Sequence, residues 1–314
     1  TYVLNLPDQC VEFFEYINDN MVPSELQKWM VKSPSVHRGA GVNVLHAGNF
    51  NELLGKFKRG ASCYRSWPQT APLVQEFVKD AHLINGRKFH LRVYMLFAST
   101  RPKLAYFIPV FLVRRAFQDF DPDSTDKSAA LTNRHLAERL GFEDDSLLTP
   151  EMLGNYLYQA GEIADPKWID TILRPNLRTA IAHLVNAIEL TDRDQSRFDF
   201  LGLDILLRKD FRVTIMEVNY RPAAHEKPIK KKKLIFDNMA KIMTQIIVDG
   251  KRTIADIDAG FFEPIYDETL KGPERFFGNL NDACYFGQQL SANSTWFQNV
   301  FSSRLCLLFL IVET

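Results

Sequence analysis

The chain has 314 residues, with 38 Lys+Arg balancing 38 Asp+Glu; 46% of its residues are hydrophobic and 24% are charged. These proportions exclude disorder throughout, and the absence of a basic excess excludes a protein built as a whole to bind nucleic acid. The length allows about two domains.

The chain opens on Thr1 rather than Met, with no signal peptide, and reads as part of a longer protein. Its longest apolar run, Leu305 to Val312, is too short to cross about 30 Å of hydrocarbon, so no membrane partner is expected. The cysteines Cys10, Cys63, Cys284 and Cys306 are too far apart for a zinc knuckle or a C-x-x-C pair. They read as four reduced thiols of a cytosolic protein.

Trp29 to Lys32 reads as a short strand, followed by the loop Ser33–Gly41 and a second strand, Val42 to Leu45. Together they predict a hairpin. Without a G-K-[ST] ending and a following helix, it is not a P-loop. Pro72 to Val78 reads as another strand. In 88–98, Phe89, Leu91, Val93, Met95 and Phe97 alternate with Lys88, His90 and Arg92, which predicts a strand. The turn Ser99–Pro102 and a strand from Leu104 to about Phe117 complete a hairpin. The polar residues 119–133 read as a mobile loop. Helices are predicted over about 167–190 and 231–249, the second on the stripe Ile235, Met239, Ile242 and Ile246, with Gly250 at its stop. Between them lie two strands, Asp199 to Leu207 and Arg212 to Asn219. The first 28 residues and the last 65 give no clear periodicity.

Several positions suggest chemistry. Asp204 lies in an apolar strand, where a lone carboxylate costs several kcal/mol unless paired or metal-bound. Glu217 and Asn219 share a face of the next strand. Together the three offer hard oxygen ligands suited to Mg²⁺ held jointly with phosphates; the plainer alternative is a buried acid paired with an arginine. Lys88, His90 and Arg92 crowd like charge onto one strand face, which an anion would relieve, with Arg114 and Arg115 extending it. The alternative there is a solvated face. Lys32 can reach a phosphate as a point charge, Arg38 adds to it, and Gly39 and Gly41 let backbone approach closely. Gln75, Glu76, Phe77 and Val78 could pair with and flank an adenine, or simply end a strand. Lys227 and Lys230–Lys233 form a basic run at a helix start, where the helix dipole favours anions; the run therefore points to an acidic partner or to a solvated helix end.

Taken in order, these segments resemble the tubulin–tyrosine ligase-like family, whose fold is ATP-grasp. The matching segments are Trp29–Pro34 with Arg38–Val42, Gln75–Val78, Gly86-Arg87-Lys88-Phe89-His90-Leu91-Arg92-Val93-Tyr94, Ala130-Leu131-Thr132-Asn133, Phe200–Asp204 and Met216-Glu217-Val218-Asn219, all within about 29–249. The resemblance implies an α+β fold with antiparallel-rich sheets and flanking helices around an ATP cleft, with further domains upstream of Thr1. It implies a partial central domain at 1–79, a C-terminal ATP-grasp domain at 80–250, and an extension at 251–314 without an assigned role.

By the same resemblance, Lys32 and Lys88 hold phosphates, while Gln75, Glu76, Phe77 and Val78 frame adenine. Thr132 and Asn133 touch the nucleotide, and Asp204, Glu217 and Asn219 bind Mg²⁺. Arg92 and Arg114 steady an acyl-phosphate or an amino-acid carboxylate. The implied activity is ATP- and Mg²⁺-dependent ligation of a free amino acid to a protein carboxylate. Glutamate is the expected amino acid, the tails of tubulin or another acidic protein the acceptor, and the cytoplasm, microtubules, cilia or flagella the setting. Tyrosine or glycine ligation and a small-molecule ATP-grasp ligase are alternatives. Three residues depart from the family pattern: His90 stands in place of Asp, Ala130 in place of His, and Arg221 in place of a small residue. They open a further alternative, a catalytically silent protein that binds microtubules.

Overall fold

The computed structural model describes residues 1–4, 6–20, 29–32, 42–45, 51, 73–121, 132, 147–188, 197–220, 222, 232–277 and 312–313. Contacts divide the chain into two units. The first holds Thr1–His90, Arg114–Ser146 and Leu207–Phe211; the second holds Leu91–Val113, Leu147–Leu206 and Arg212–Thr314. The sequence-based boundary at 79/80 therefore falls inside the first unit.

In the first unit, β1 (Tyr2–Val3), β2 (Trp29–Lys32), β3 (Val42–Val44) and β4 (Leu73–Glu76) form a sheet in the order β1-β4-β2-β3. All three pairings are antiparallel, with Met30 opposite both Val44 and Gln75. The predicted hairpin over 29–45 is present. Helix α1 (Pro7–Asn20) covers this sheet. Its Cys10, Phe13, Phe14 and Ile17 recur at helical spacing and pack with Trp29, Leu45 and Val74.

Cys10 is fully buried and disulfide-bonded, which corrects the expectation of four reduced thiols. Separation along the chain screens only for local motifs and does not limit which cysteines folding brings together. Cys63, Cys284 and Cys306 lie outside the described residues.

β5 (Leu83–Ile84) and β6 (Arg87–Thr100) make a two-residue hairpin. Its turn is Asn85-Gly86, with φ of 51° and 75°. Asn-Gly is favoured there because both central residues of a type I′ turn need positive φ.

In the second unit the sheet runs β11-β7-β6-β9-β10-β12. Its strands are β7 (Lys103–Arg115), β9 (Asp199–Leu207), β10 (Val213–Tyr220), β11 (Glu263–Asp267) and β12 (Val312–Glu313). β8 (Leu147–Leu148) pairs with β7 beside this path. β6 is central, and every residue from Lys88 to Thr100 is buried. Its two faces therefore both meet protein, and beyond Arg92 the basic face continues as Tyr94, Leu96 and Ala98 in the core.

Helix α2 (Pro150–Gln159) is capped by Thr149, whose hydroxyl accepts from the Met152 amide at 3.3 Å. The single helix predicted over 167–190 is a π-helical turn, Ile169–Leu173, followed by α3 (Arg174–Ala187). Pro175 accounts for the break. It has no amide to donate, and its ring crowds the preceding turn. α3 packs on β10 and β11.

Helix α4 (Lys232–Ile247) buries the predicted stripe of Ile235, Ile242 and Ile246, with Met239 partly covered, against Tyr94, Leu96, Leu104 and Tyr106. Gly250, at φ 71°, takes the left-handed conformation that ends a helix. Beyond it, Asp267 accepts from the amides of Ile254 and Thr269, each at 2.8 Å, and so fixes the first part of the 251–314 segment to the end of β11. No described helix is long and apolar enough to cross a membrane.

The core gives a direct stability prediction. Ile242→Ala lowers unfolding free energy by about 2–5 kcal/mol, because it opens a cavity in a fully buried cluster. Ile247→Ala, at a side chain 67% exposed, changes it by less than about 0.5 kcal/mol. Urea denaturation midpoints of the two variants measure the contrast.

Candidate functional site

In the second unit, register brings Arg92 of β6 directly opposite Asp204 of β9. Their exposures are 6% and 5%, so neither charge is left to water. The guanidinium grips the carboxylate in a fork. Arg92 Nε donates to Asp204 Oδ1, and Arg92 Nη2 donates to Oδ2 at 2.9 Å. A bidentate, charge-assisted pair is the geometry that can offset burial of two ions. Burial alone pulls the Arg92 pKa down. The adjacent Asp204 carboxylate more than reverses this, with Glu217 adding to it, so the guanidinium stays charged.

Gly202 makes room for the fork. A Cβ there would lie 2.6 Å from Pro222 Cβ and 3.3 Å from Arg92 Cδ, so any other residue displaces backbone-fixed atoms. The sequence reading missed Gly202, because the crowding comes from a residue twenty positions away.

β10 supplies the rest of the cluster. Glu217 and Asn219 share a face, as period 2 requires. The Asn219 amide donates to Asp204 Oδ2 at 3.4 Å and to Glu217 Oε1 at 3.3 Å. Two carboxylates thus converge on a single amide group. Among the described residues, no three His, Cys, Asp or Glu side chains gather as a metal cage. Two carboxylates and a carboxamide fit Mg²⁺, which commonly binds one or two protein carboxylates and completes its shell with water and phosphates. The structure also realises the arginine pairing of Asp204 that the sequence left as the alternative. Arg92 commits Nε and Nη2 to that pairing, and among the described residues Nη1 makes no hydrogen bond.

In the first unit, Lys88 and His90 are 6% and 4% exposed, which excludes the solvated-face alternative for both. Lys88 Nζ sits 4.2 Å from the centre of the Phe77 ring and 5.4 Å from that of Phe120. Among the described residues it makes no hydrogen bond or ion pair. Burial, with Lys32 as a second positive charge nearby, pulls the Lys88 pKa from 10.5 to about 7.

His90 Nδ1 is hydrogen-bonded to the Thr132 hydroxyl, which ties two positions of the predicted signature together. In β4, Gln75 is buried and its amide donates to the Thr1 hydroxyl at 3.2 Å, whereas Glu76 is exposed. Phe77, just past the strand, is buried with Met30 and Val44, and Val78 follows it, half-buried. Arg114 is half-buried near the end of β7. Arg38, Gly39, Gly41, Ala130, Asn133 and Arg221 lie outside the described residues, as do Lys227, Lys230 and Lys231.

An α+β protein of ATP-grasp architecture is the class that these antiparallel sheets and their placement of the signature strands define. The chain belongs to the tubulin-tyrosine ligase family, whose model it matches over residues 2–253. It is 25% identical over 239 residues to the protein polyglycylase TTLL10 of Rattus norvegicus, covering 72% of this chain and 34% of that protein. It is 26% identical over 242 residues to the inactive polyglycylase TTLL10 of Homo sapiens, covering 72% and 34%. To the tubulin monoglutamylase TTLL4 of Mus musculus it is 28% identical over 218 residues, covering 64% of this chain and 17% of that protein. The chain thus spans about a third of the length of the polyglycylases it matches.

Two measurements probe the charges. Arg92→Met and Asp204→Leu each cost about 3–5 kcal/mol by stranding a buried charge, whereas the double variant regains most of that loss; a double-mutant cycle by chemical denaturation measures both. For Lys88, the folded chain binds fewer protons than the unfolded chain between pH about 7 and 10.5. Its cost to stability is full below that window and disappears above it. Lys88→Met is therefore stabilising at pH 7, and its margin over the natural chain shrinks steadily toward pH 10.

Proposed function

We propose that the protein is an ATP- and Mg²⁺-dependent ligase that joins a free amino acid to a carboxylate on an acidic protein tail, with tubulin as the acceptor. The observation that carries this reading is the buried Arg92–Asp204 fork joined through Asn219 to Glu217. A structural ion pair alone does not call for a second carboxylate brought up to the same amide. Mg²⁺ bound by Asp204, Glu217 and Asn219 would neutralise charge on the nucleotide phosphates. Arg92 would orient Asp204 for that task through Nε and Nη2, and its Nη1 would remain to steady the acyl group. Lys88 and Lys32 supply positive charge for phosphate oxygens, and the region around Phe77 offers an apolar wall for a base.

In the reaction, an acceptor carboxylate oxygen attacks the γ-phosphorus and ADP leaves, giving an acyl-phosphate. The amino group of the incoming amino acid then attacks the acyl carbon. Inorganic phosphate departs, the amine loses a proton, and an amide remains. Glutamate remains the expected amino acid, with glycine its main rival, since the relatives include polyglycylases as well as a monoglutamylase. Such a substrate places the protein in the cytoplasm, on microtubules.

A specific observation favours a second reading, that of a silent tubulin-binding relative. The signature acid is replaced by His90, whose Nδ1 is engaged by Thr132, and one relative is named as inactive.

The deciding experiment supplies tubulin, ATP, Mg²⁺ and, in separate reactions, labelled glutamate, glycine and tyrosine. Incorporation of one of them is expected, and Glu217→Gln reduces it by about two orders of magnitude, since ion-mediated charge stabilisation supplies several kcal/mol. No incorporation, together with microtubule co-sedimentation, establishes the silent reading. Failure to bind ATP refutes both the ligase and its nucleotide site.

A further inference from the structure

The segment after β7 does something that neither the signature motifs nor the family match assigns. It folds back onto the start of β6, where the Ala116 amide donates to Lys88 O at 2.7 Å and the Phe120 amide to Gly86 O at 2.8 Å. Arg87 and Asp119 face each other at 3.7 Å between those two bonds. Backbone pairing so fixed delivers the Phe120 ring to the cluster of Met30, Val44 and Phe77, where its centroid is 5.9 Å from that of Phe77. The Lys88 ammonium lies over both rings.

A lysine that is 6% exposed, with a second lysine as its charged neighbour, would ordinarily be retained only with an acid beside it. Here the negative faces of two aromatic rings take that place. An aromatic face attracts a cation more weakly than a carboxylate does and presents no competing negative ion. Among the described residues, no carboxylate thus competes with an arriving anion for the ammonium.

We propose that Phe120 is a positioning residue of the nucleotide site: with Phe77 it closes an aromatic cage that holds the Lys88 ammonium and keeps water from it. This inference rests on Lys88 being a phosphate-holding group. Its consequence is that Lys88 enters the complex partly unprotonated at neutral to mildly alkaline pH. It gains its proton when a polyphosphate supplies the missing negative charge. Nucleotide binding is therefore coupled to proton uptake, and affinity falls as pH rises above about 7.

The test needs two readouts. In the first, the pH dependence of Lys88 acylation by a small amine-reactive reagent is followed by mass spectrometry without nucleotide. The natural chain gives a midpoint near 7, far below that of exposed lysines at about 10.4. Phe120→Ala admits water and raises that midpoint by about one unit or more, while Phe120→Tyr keeps it within about half a unit. An ordinary lysine midpoint in the natural chain overturns the cage, as does an unchanged midpoint in Phe120→Ala.

In the second, which needs no variant, calorimetry with a non-hydrolysable ATP analogue and Mg²⁺ is run at pH 8 in two buffers of different ionisation enthalpy. Most of one proton is taken up per nucleotide bound. Binding without uptake overturns the coupling but leaves the ligase reading intact. Absence of binding overturns the ligase reading, while the acylation midpoint still decides whether the cage exists.

Discussion

The second unit is organised around the cost of putting a carboxylate where water cannot reach it. Asp204 is buried in the apolar run Leu201–Leu207 of its strand, and by itself would either unfold that strand or take up a proton. Arg92 resolves this because antiparallel pairing of β6 with β9 places the two residues directly across from each other. Cross-strand neighbours lie within about 5.5 Å at Cβ, close enough for a fork of two hydrogen bonds. The same register fixes the surroundings. Tyr94 comes opposite Gly202, and only a glycine there leaves space for the arginine stem and Pro222. Register, glycine and ion pair are therefore one constraint, since a slip of one strand by one residue would put Arg92 and Asp204 on opposite faces.

The first unit solves a different problem with different chemistry. Its buried cation has aromatic faces for company, and repulsion from Lys32 adds to the cost of keeping it charged. Asp204 is matched by a full counter-charge; among the described residues, Lys88 is not. A fold that satisfies one buried charge so completely and leaves another to weak attractions is locally inconsistent at the second, and such inconsistencies concentrate at binding sites. The contrast also separates roles. The matched pair sits in a cluster of side-chain oxygens, while the lysine, without a counter-charge among the described residues, has most to gain from an incoming anion.

Strands were legible in the sequence wherever alternation or a turn announced them. β2 and β3 were readable around the glycine loop, β6 and β7 around Ser99–Pro102, and β9 and β10 as apolar runs of strand length. The burial of both faces of β6 was not legible, since Lys88, His90 and Arg92 in alternation look like an exposed face until partners are known. Other features left usable signals. The Cys10, Phe13, Phe14, Ile17 stripe of α1 has helical spacing, and Asn85-Gly86 is a strong hairpin turn. Still others left none. Nothing local marks Phe120, an aromatic in a polar stretch, as part of the core around Phe77, and nothing in the spacing of the cysteines foretells a disulfide at Cys10. Of the candidate site, the clustering of Asp204, Glu217 and Asn219 was readable because polar groups in apolar strands are costly unless they find partners. The Arg92–Asp204 pairing was not legible, because a strand-face argument cannot see across a sheet.

The departure at position 90 takes on a different meaning once Lys88 is placed. Lys88 and His90 point to the same side of β6, about 7 Å apart along the strand. An acid at 90, as the family signature carries, would lie within Coulombic reach of the ammonium and hold it charged in all circumstances, because screening by water is weak at a site this buried. A histidine cannot do so. When neutral it offers no charge, and when protonated it repels. Its Nδ1 is moreover engaged by Thr132, so its orientation is set by a neighbour rather than by the lysine. If Lys88 holds phosphate as proposed, a histidine at 90 would therefore leave the lysine's charge to be set by the bound anion rather than by a neighbouring acid.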